Sequence, residues 1–190
     1  MLKDLVKKAR SYRRFDNSYV ISDEVIFDLV DTARLTPSAA NRQQLKYIVS
    51  NTSNQNELIY PHLNWAGYLL DWNGPEPEQR PSAYIILYTD ADLTPLVSFD
   101  AGIIGQTIQL TATSMELGAC MIASFDKNKL KKVLNLSPEQ EIVLVIALGK
   151  PDETIVLTDV KEDGCIKYYR DEKSVHYVPK RKIEDIYKKF

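Results

Sequence analysis

Residues 100–118 read DAGIIGQTIQLTATSMELG and carry the longest helical pattern of the chain. Its apolar residues are distributed around nearly the whole circumference of a helix. Small residues recur along it, at Ala101, Gly102, Gly105 and Ala112. Because a helix that is apolar on all sides is a buried one, the pattern predicts a helix from its N-cap Asp100 to about Leu117, enclosed in a core or between subunits.

Strand and helix patterns extend outward from this helix on both sides. Apolar runs predict strands at residues 47–49, 83–89, 119–124 and 142–148, with an amphipathic helix between the last two. Before them, apolar residues at helical spacing predict a short first helix and a second one, which begins at the N-cap Ser22 and is stopped by Pro37. The mixture of elements predicts an α+β fold.

The last forty residues predict a hairpin and a helix. Asp163-Gly164 is a strong turn signal between strand patterns at 154–160 and 165–169. Residues 183–190 carry Ile183, Ile186, Tyr187 and Phe190 at the spacing of an amphipathic helix.

One polar stretch interrupts these patterns. Residues 51–81 are rich in glycine and proline and predict a short helix followed by a long loop. Three aromatic residues lie in it, Trp65, Tyr68 and Trp72. Loops of this length inside a domain are usually functional or mobile. No linker divides the 190 residues, so we expect a single domain over 1–190.

Composition limits the classes of function. The chain is 44% hydrophobic and 26% charged, with a formal net charge of −2, which does not indicate a nucleic-acid-binding protein. No apolar run reaches the length of a membrane span, and the N-terminus lacks a signal core. Of the two cysteines, Cys120 lies in an apolar run and is expected to be a reduced core residue. We therefore expect a cytoplasmic protein.

Several familiar catalytic motifs are absent from the sequence. The seven glycines form neither a GxGxxG nor a Walker pattern, and no Gly-x-Ser-x-Gly elbow exists. The two histidines, His62 and His176, lie far apart, so a metal site is not expected. An organic cofactor that supplies the chemistry itself is compatible with this sequence.

The first positive signal is the basic segment Arg10-Ser11-Tyr12-Arg13-Arg14-Phe15. Two guanidinium groups and a hydroxyl suit a phosphate monoester, because charge-assisted bidentate hydrogen bonds are strong. The C-terminal region is also basic, so the two ends of the chain could converge on one anion. On these residues alone, a solvated basic stretch is the simpler explanation.

The second signal is Thr36-Pro37-Ser38-Ala39-Ala40-Asn41-Arg42-Gln43. It ends a helix and then presents a hydroxyl and two side-chain amides, which can bind a polar heterocycle or sugar hydroxyls. A simple turn after a helix explains the same composition equally well.

Together these segments resemble the FMN-dependent nitroreductase family, whose opening motif is similar to Arg10-Ser11-x-Arg13-x-Phe15 followed by Pro37-Ser38-x-x-Asn41-x-Gln43. Three later blocks are also similar to the family, at residues 100–118, 120–126 and 147–151. The basic Pro179-Lys180-Arg181 lies where family members supply another phosphate contact. The resemblance spans almost the whole chain. It differs from the family at Gln44 and Leu45, where members often have a proline and an aromatic residue, and at Glu116 and Ala123, where they often have glycine.

The resemblance implies a central mixed or antiparallel sheet flanked by helices, in an intertwined homodimer that binds FMN at its interface. It assigns the phosphate to Arg10, Ser11, Arg13, Lys180 and Arg181, and the ring or ribityl chain to Asn41 and Gln43. It places Pro37, Ser38 and Ala39 against the flavin of the opposite protomer, and the backbone of Ile122, Ala123 and Ser124 at the N5 side. Trp65, Tyr68 and Trp72 would line the substrate pocket, with 51–81 as its lid. For Trp72, a structural role in the hydrophobic core of that loop is an equally good interpretation.

The resemblance also implies a reaction. NAD(P)H would give hydride to the flavin N5 and leave, and an electron-poor nitroarene or quinone would take its place, with no side chain required as acid or base. Two alternatives stay open, namely a flavin-dependent oxidase or dehalogenase on the same scaffold and a non-catalytic flavin-binding protein.

Overall fold

The main sheet contains five antiparallel strands, in a computed structural model that describes residues 1–90 and 92–190. They are β1 (Phe15–Asp16), β2 (Lys46–Ser50), β3 (Ala83–Thr89), β4 (Gly118–Ile122) and β5 (Glu141–Pro151). The long β5 is central and pairs with β1, β3 and β4, while β2 pairs with β3 at an edge. These pairings confirm the α+β fold with an antiparallel sheet.

Helices cover both faces of this sheet. The described helices are α1 (Leu2–Lys8), α2 (Asp23–Arg34), α3 (Ser53–Ile59), α4 (Pro95–Ser114), α5 (Lys127–Val133) and α6 (Ile183–Ile186). Of these, α2 and α4 pack on one face, and α3 and α5 pack on the other. Alternate residues of β3 point to opposite faces, so Ile85 and Leu87 pack with α2 and α4, while Tyr84 and Ile86 pack with residues of the α3 and α5 side. The strand is buried on both faces, as its unbroken apolar sequence predicts.

The central helix begins earlier than the sequence pattern indicates. Its N-cap is Thr94, whose hydroxyl accepts a hydrogen bond from the Val97 N–H, and Pro95 occupies the first turn. The prediction of Asp100 as N-cap is therefore wrong. Asp100 lies inside the helix, 4% exposed, and its carboxylate accepts a hydrogen bond of 2.9 Å from the Ala39 N–H.

The same helix is buried on one side only. Val97, Ala101, Ile104 and Ile108 pack into the core. On the other side Leu96, Phe99 and Ile103 are 38%, 65% and 41% exposed. Their spacing of three and four residues places them on one apolar stripe, which the protomer leaves uncovered.

The C-terminal third differs from the prediction. Asp163-Gly164 lies in a turn, since the Gly164 N–H donates to the Lys161 carbonyl, but no hairpin follows it. Instead β6 (Ile155–Asp159) pairs in parallel with β8 (His176–Lys180), and β7 (Tyr169–Arg170) pairs antiparallel on the other side of β8. The local turn signal gave no information about β8. This strand pairs with β6 in the place where the predicted hairpin would have put residues 165–169.

The last helix is also shorter than predicted. It covers only Ile183–Ile186, and Ile183, Ile186, Tyr187 and Phe190 are all exposed. Across residues 1–90 and 92–190, no helix is both long and apolar enough to cross a membrane. Cys120 is a free, buried thiol, as predicted, and its burial raises its pKa to about 11.

Candidate functional site

The two basic ends of the chain meet at a cavity of about 510 Å³. It lies between α1, α4 and the β7–β8 region. Its lining includes Arg10, Ser11, Arg13, Gln109, His176 and Lys180. Among the described residues that line it, none is acidic. The volume is in the range of small-molecule sites, and the surplus of cationic groups suits an anion.

The N-terminal segment is held in place by contacts on both sides. Gln109 of α4 is 4% exposed and donates from Nε2 to the Arg10 carbonyl at 2.9 Å. Ser11 pairs with Ala119 at the edge of β4. Phe15 is fully buried beside Gly149, where a Cβ would lie 2.7 Å from the Phe15 ring. These contacts direct Arg10, Ser11 and Arg13 to the cavity.

The Arg10 side chain has unused hydrogen-bonding capacity. Its Nη2 donates to the Val6 carbonyl at 2.5 Å, while its Nε is buried without a partner among the described residues. Burial lowers the pKa of Arg10. Because a buried donor without a partner is costly, this guanidinium is suited to an anionic ligand.

Arg13 lies beside a set of aromatic and charged groups. Its guanidinium carbon is 4.7 Å from the centre of the Tyr168 ring, and its Nη1 donates to the Ser11 carbonyl at 3.2 Å. Its backbone N–H donates to the Glu153 carboxylate. Glu153 also accepts from the Arg14 N–H at 3.2 Å and pairs with Arg170 at 2.9 Å. The backbone that carries Arg13 is therefore anchored by a carboxylate whose side chain is 1% exposed.

His176, the first residue of β8, lines the same cavity. It is 1% exposed, and neither ring nitrogen has a hydrogen-bond partner among the described residues. Its ring centre lies 5.2 Å from that of Tyr168. Burial, together with Arg13, Arg170 and Arg14, lowers the pKa of His176 to about 4, so the ring is neutral near pH 7.

Lys180 and Arg181, the predicted C-terminal phosphate contacts, are separated by the structure. Lys180 ends β8 and lines the cavity with Arg10 and Arg13. Arg181 follows the strand and is exposed, and it does not line the cavity. The structure thus brings one of the two predicted C-terminal cations to the site.

The 36–43 segment forms a different cavity, of about 150 Å³. Ser38, Gln43 and Asp100 line it. On α4, Asp100 and Ile104 line this cavity, whereas Gln106, Gln109 and Leu110 line the basic one. Pro37, Ala39 and Asn41 lie in the same segment, which a hydrogen bond from the Gln43 N–H to Ser38 Oγ at 2.9 Å holds together. Within one protomer these residues do not join the basic cavity.

The predicted flavin-facing turn lies at the end of β4. Ile122 is buried and pairs with Val145, whereas Ala123 and Ser124 are exposed. Asn64 contacts Ser124 twice, through its backbone N–H at 3.0 Å and its side-chain amide at 3.1 Å. The turn therefore abuts the 51–81 loop.

The three aromatic residues of that loop have different environments. Trp65 is 9% exposed and packs in the core beside Tyr60. Tyr68 is 48% exposed and lies 5.0 Å from Tyr168 between ring centres. Trp72 is half-buried, and the Arg170 guanidinium lies 4.2 Å from the centre of its ring. Trp65 is thus a core residue, and Tyr68 connects the loop to the basic cavity through Tyr168.

Sequence reasoning missed four residues of this region: Gln109, Glu153, Tyr168 and His176. Gln109 had a partial signal, because an amide on the buried side of a largely apolar helix needs a hydrogen-bond partner, but Gln106 offers the same residue type in the same helix. The other three lie in the C-terminal third, where the turn signal predicted a different pairing. No local pattern connects them to Arg13.

Comparisons with known proteins give a family and a fold. The Nitroreductase family profile matches residues 6–67 and 66–150. No curated protein matches the chain significantly. Among solved structures, a nitroreductase family protein from Streptococcus pneumoniae TIGR4 is 18% identical, covers 100% of both chains and superposes with a TM-score of 0.71.

Two further structures are similar. A candidate nitroreductase in complex with FMN from Exiguobacterium sibiricum 255-15 is 17% identical, with a TM-score of 0.68 over 80% of this chain and 89% of that one. A candidate NADH dehydrogenase/NAD(P)H nitroreductase from Parabacteroides distasonis ATCC 8503 is 20% identical, with a TM-score of 0.65 over 80% and 88%. At these identities the likeness shows a shared fold.

Proposed function

Because this chain belongs to the nitroreductase family, we propose that it is an FMN-dependent oxidoreductase that transfers hydride from NAD(P)H to an electron-poor acceptor, such as a nitroarene or a quinone. The observation that carries the proposal is the basic cavity between the two ends of the chain. One structure of the same fold is a complex with FMN, and another is named for NADH and NAD(P)H, which supports the choice of cofactor and reductant.

The residues of the cavity fit a phosphate monoester. Arg10, Arg13 and Lys180 all line the cavity and supply positive charge, and Ser11 supplies a neutral hydroxyl. The unpartnered Arg10 Nε is a donor that such a group would satisfy. Charge-assisted hydrogen bonds of this kind contribute ~1.5–3 kcal/mol each.

We propose that the flavin ring lies between two protomers. FMN bound there would supply the hydride-accepting and hydride-donating centre at N5. The segment with Pro37, Ser38, Ala39, Asn41 and Gln43 would contact the flavin held by the partner, since its residues line a cavity other than the basic one of their own protomer. Backbone amides near Ile122, Ala123 and Ser124 would bind the N5 side, where an N–H donor stabilises negative charge.

One feature of the protomer supports the homodimer, namely an exposed apolar stripe on α4. The stripe of Leu96, Phe99 and Ile103 on α4 is apolar and exposed in the protomer. A second copy that packs against it would complete the burial that the helix sequence predicts. Obligate interfaces of this type bury on the order of 2,000–5,000 Å².

The acceptor would bind beside the 51–81 loop. Tyr68 and Trp72 are accessible enough to form its wall, with Trp65 as the buried support beneath them. We further propose that residues 1–190 act as one unit in the cytoplasm, where the free thiols of Cys120 and Cys165 would stay reduced.

Two measurements test the function. The protein is purified and denatured, and the released chromophore is identified by mass, with FMN as the expected result and FAD or no flavin as the contrary one. NADH and NADPH oxidation is then followed with and without an added quinone. Turnover that requires the quinone supports the proposal. Turnover with oxygen alone indicates an oxidase, and bound FMN without turnover indicates a flavin-binding protein.

A further inference from the structure

His176 is a buried polar side chain with no visible use inside the protomer. It is 1% exposed, and both Nδ1 and Nε2 lack a hydrogen-bond partner among the described residues. Native proteins rarely leave buried polar atoms without a partner, because each one forfeits its hydrogen bonds to water. Phenylalanine would fill the same space without that penalty. A hydrogen-bond partner from outside the protomer would explain why a polar imidazole stands at this position.

The position of the ring indicates what that partner is. His176 lines the cavity together with Arg10, Arg13 and Lys180. An anion held by these cations would lie within the same enclosure as the imidazole. At neutral pH the ring keeps one N–H donor and one acceptor. A neutral donor among cations is compatible with a phosphate group, because it adds a hydrogen bond without another desolvated charge.

We propose that His176 is an additional binding residue of the cavity, donating a ring N–H to a phosphoryl oxygen of the ligand. The proposal rests on the proposed function, which makes that ligand FMN, although the shared chemistry is that of any phosphate monoester. Because protein atoms cover both ring nitrogens, the contact requires a side-chain rearrangement around the imidazole, whose ring centre lies 5.2 Å from that of the half-buried Tyr168.

The substitution His176→Phe separates this role from a purely structural one. Phe keeps a ring to pack on Tyr168 and removes both unpartnered nitrogens. We expect the dissociation constant for FMN to rise about tenfold, and that for riboflavin, which lacks the phosphate, to change less than twofold. The melting temperature of the flavin-free protein should stay the same or rise. Equal losses for both flavins together with a lower melting temperature would overturn the proposal.

Two further variants complete the comparison. His176→Gln retains an amide N–H and should keep more FMN affinity than His176→Phe. His62→Phe is the matched control, because His62 lies in the Tyr60–His62 turn, outside the cavity lining. It should leave both flavin affinities unchanged. Weaker FMN binding by the Gln variant than by the Phe variant would contradict a hydrogen bond from this position.

Imidazole NMR of the wild-type protein tests the contact directly and needs no variant to fold. The chain has two histidines, so the spectrum is simple. Inorganic phosphate and FMN should shift the His176 resonances and leave those of His62 in place, while riboflavin should have little effect. FMN binding without a His176 shift would refute the proposal. A shift with inorganic phosphate in a protein that retains no flavin would support the site and reject the proposed cofactor.

Discussion

The backbone N–H of Arg13 donates a hydrogen bond to the carboxylate of Glu153, across 140 positions of sequence. The same carboxylate accepts from the Arg14 N–H and forms an ion pair with Arg170. With the Arg170 side chain 10% exposed and that of Glu153 1% exposed, the pair is shielded from water. This single side chain therefore connects the basic N-terminal segment to the C-terminal strands that complete the cavity.

Replacing Glu153 by alanine should destabilise the protein strongly. The variant leaves Arg170 as a buried charge without its partner, a change that typically costs about 3–5 kcal/mol. Urea unfolding at one fixed protein concentration measures the loss. Glu172→Ala, at an exposed site, is the control and should stay within about 0.5 kcal/mol of wild type. A cost for Glu153→Ala as small as that of the control would show that the ion pair is not needed.

The basic residues of the cavity should contribute to binding the phosphate group of FMN and not to binding the rest of the flavin. We expect Arg10→Ala, Arg13→Ala and Lys180→Ala each to weaken FMN binding about ten- to a hundredfold, since each removes ~1.5–3 kcal/mol of charge-assisted hydrogen bonding. Riboflavin affinity should hardly change. Arg181→Ala should alter FMN affinity less than threefold, because Arg181 lies outside the cavity lining. If the three cavity variants all bind FMN like wild type, the phosphate assignment is wrong.

The exposed stripe on α4 should determine oligomeric state. Phe99→Glu combined with Ile103→Glu places two charges where we propose a subunit interface, and buried unpaired charges are strongly unfavourable. Sedimentation should show a dimer for wild type and a monomer for the double variant. Leu58→Glu, at a residue of α3 that is 58% exposed, is the matched control and should stay dimeric. A wild-type protein that sediments as a folded monomer at micromolar concentration would contradict the interface.

Glu116→Gly should stabilise the protein by about 1 kcal/mol. Glu116 has φ of 59°, and the Leu117 and Glu116 N–H groups close the end of α4 on the Ala112 and Thr113 carbonyls. This geometry favours glycine, because other residues crowd the backbone there. The exposed Lys150–Glu116 ion pair that is lost contributes little. The urea midpoint should rise for Gly, and Glu116→Ala should show no such gain.

Stability of the flavin-free protein should fall in weak acid partly through His176. Burial and the nearby Arg13, Arg170 and Arg14 lower the pKa of the folded ring from 6.5 to about 4. Between these values the unfolded chain binds a proton that the folded chain does not, so unfolding is favoured as pH falls from about 6.5 towards 4. The urea midpoint should therefore change less between pH 7.5 and pH 5 for His176→Phe than for wild type. Equal pH dependence of the two proteins would refute this.

Much of the fold was predictable because its signals are local. β3 reads as an unbroken apolar run and is buried on both faces. Ser22 caps α2 by accepting a hydrogen bond from the Val25 N–H, as the sequence indicates. Arg10 and Arg13 were recognisable as a basic segment, although on those residues alone a solvated surface was the simpler explanation.

The errors arose where one local signal competed with another or with a distant partner. Asp100 resembles an N-cap, but the Thr94-Pro95 pair six residues earlier starts the helix, which frees Asp100 to bind the Ala39 N–H. Asp163-Gly164 makes a turn, but the turn does not decide which strand pairs with β6.

The α+β class, the apolar helix and the two basic ends follow from the residues in order, since periodicity, capping and charge are properties of neighbouring residues. Three features required the folded chain: the basic ends share one cavity, Glu153 anchors Arg13, and His176 lies among cations. Burial and hydrogen bonding depend on partners that lie far apart in the chain. A carboxylate or an imidazole acquires its role from the groups that enclose it, and no pattern of adjacent residues records those groups.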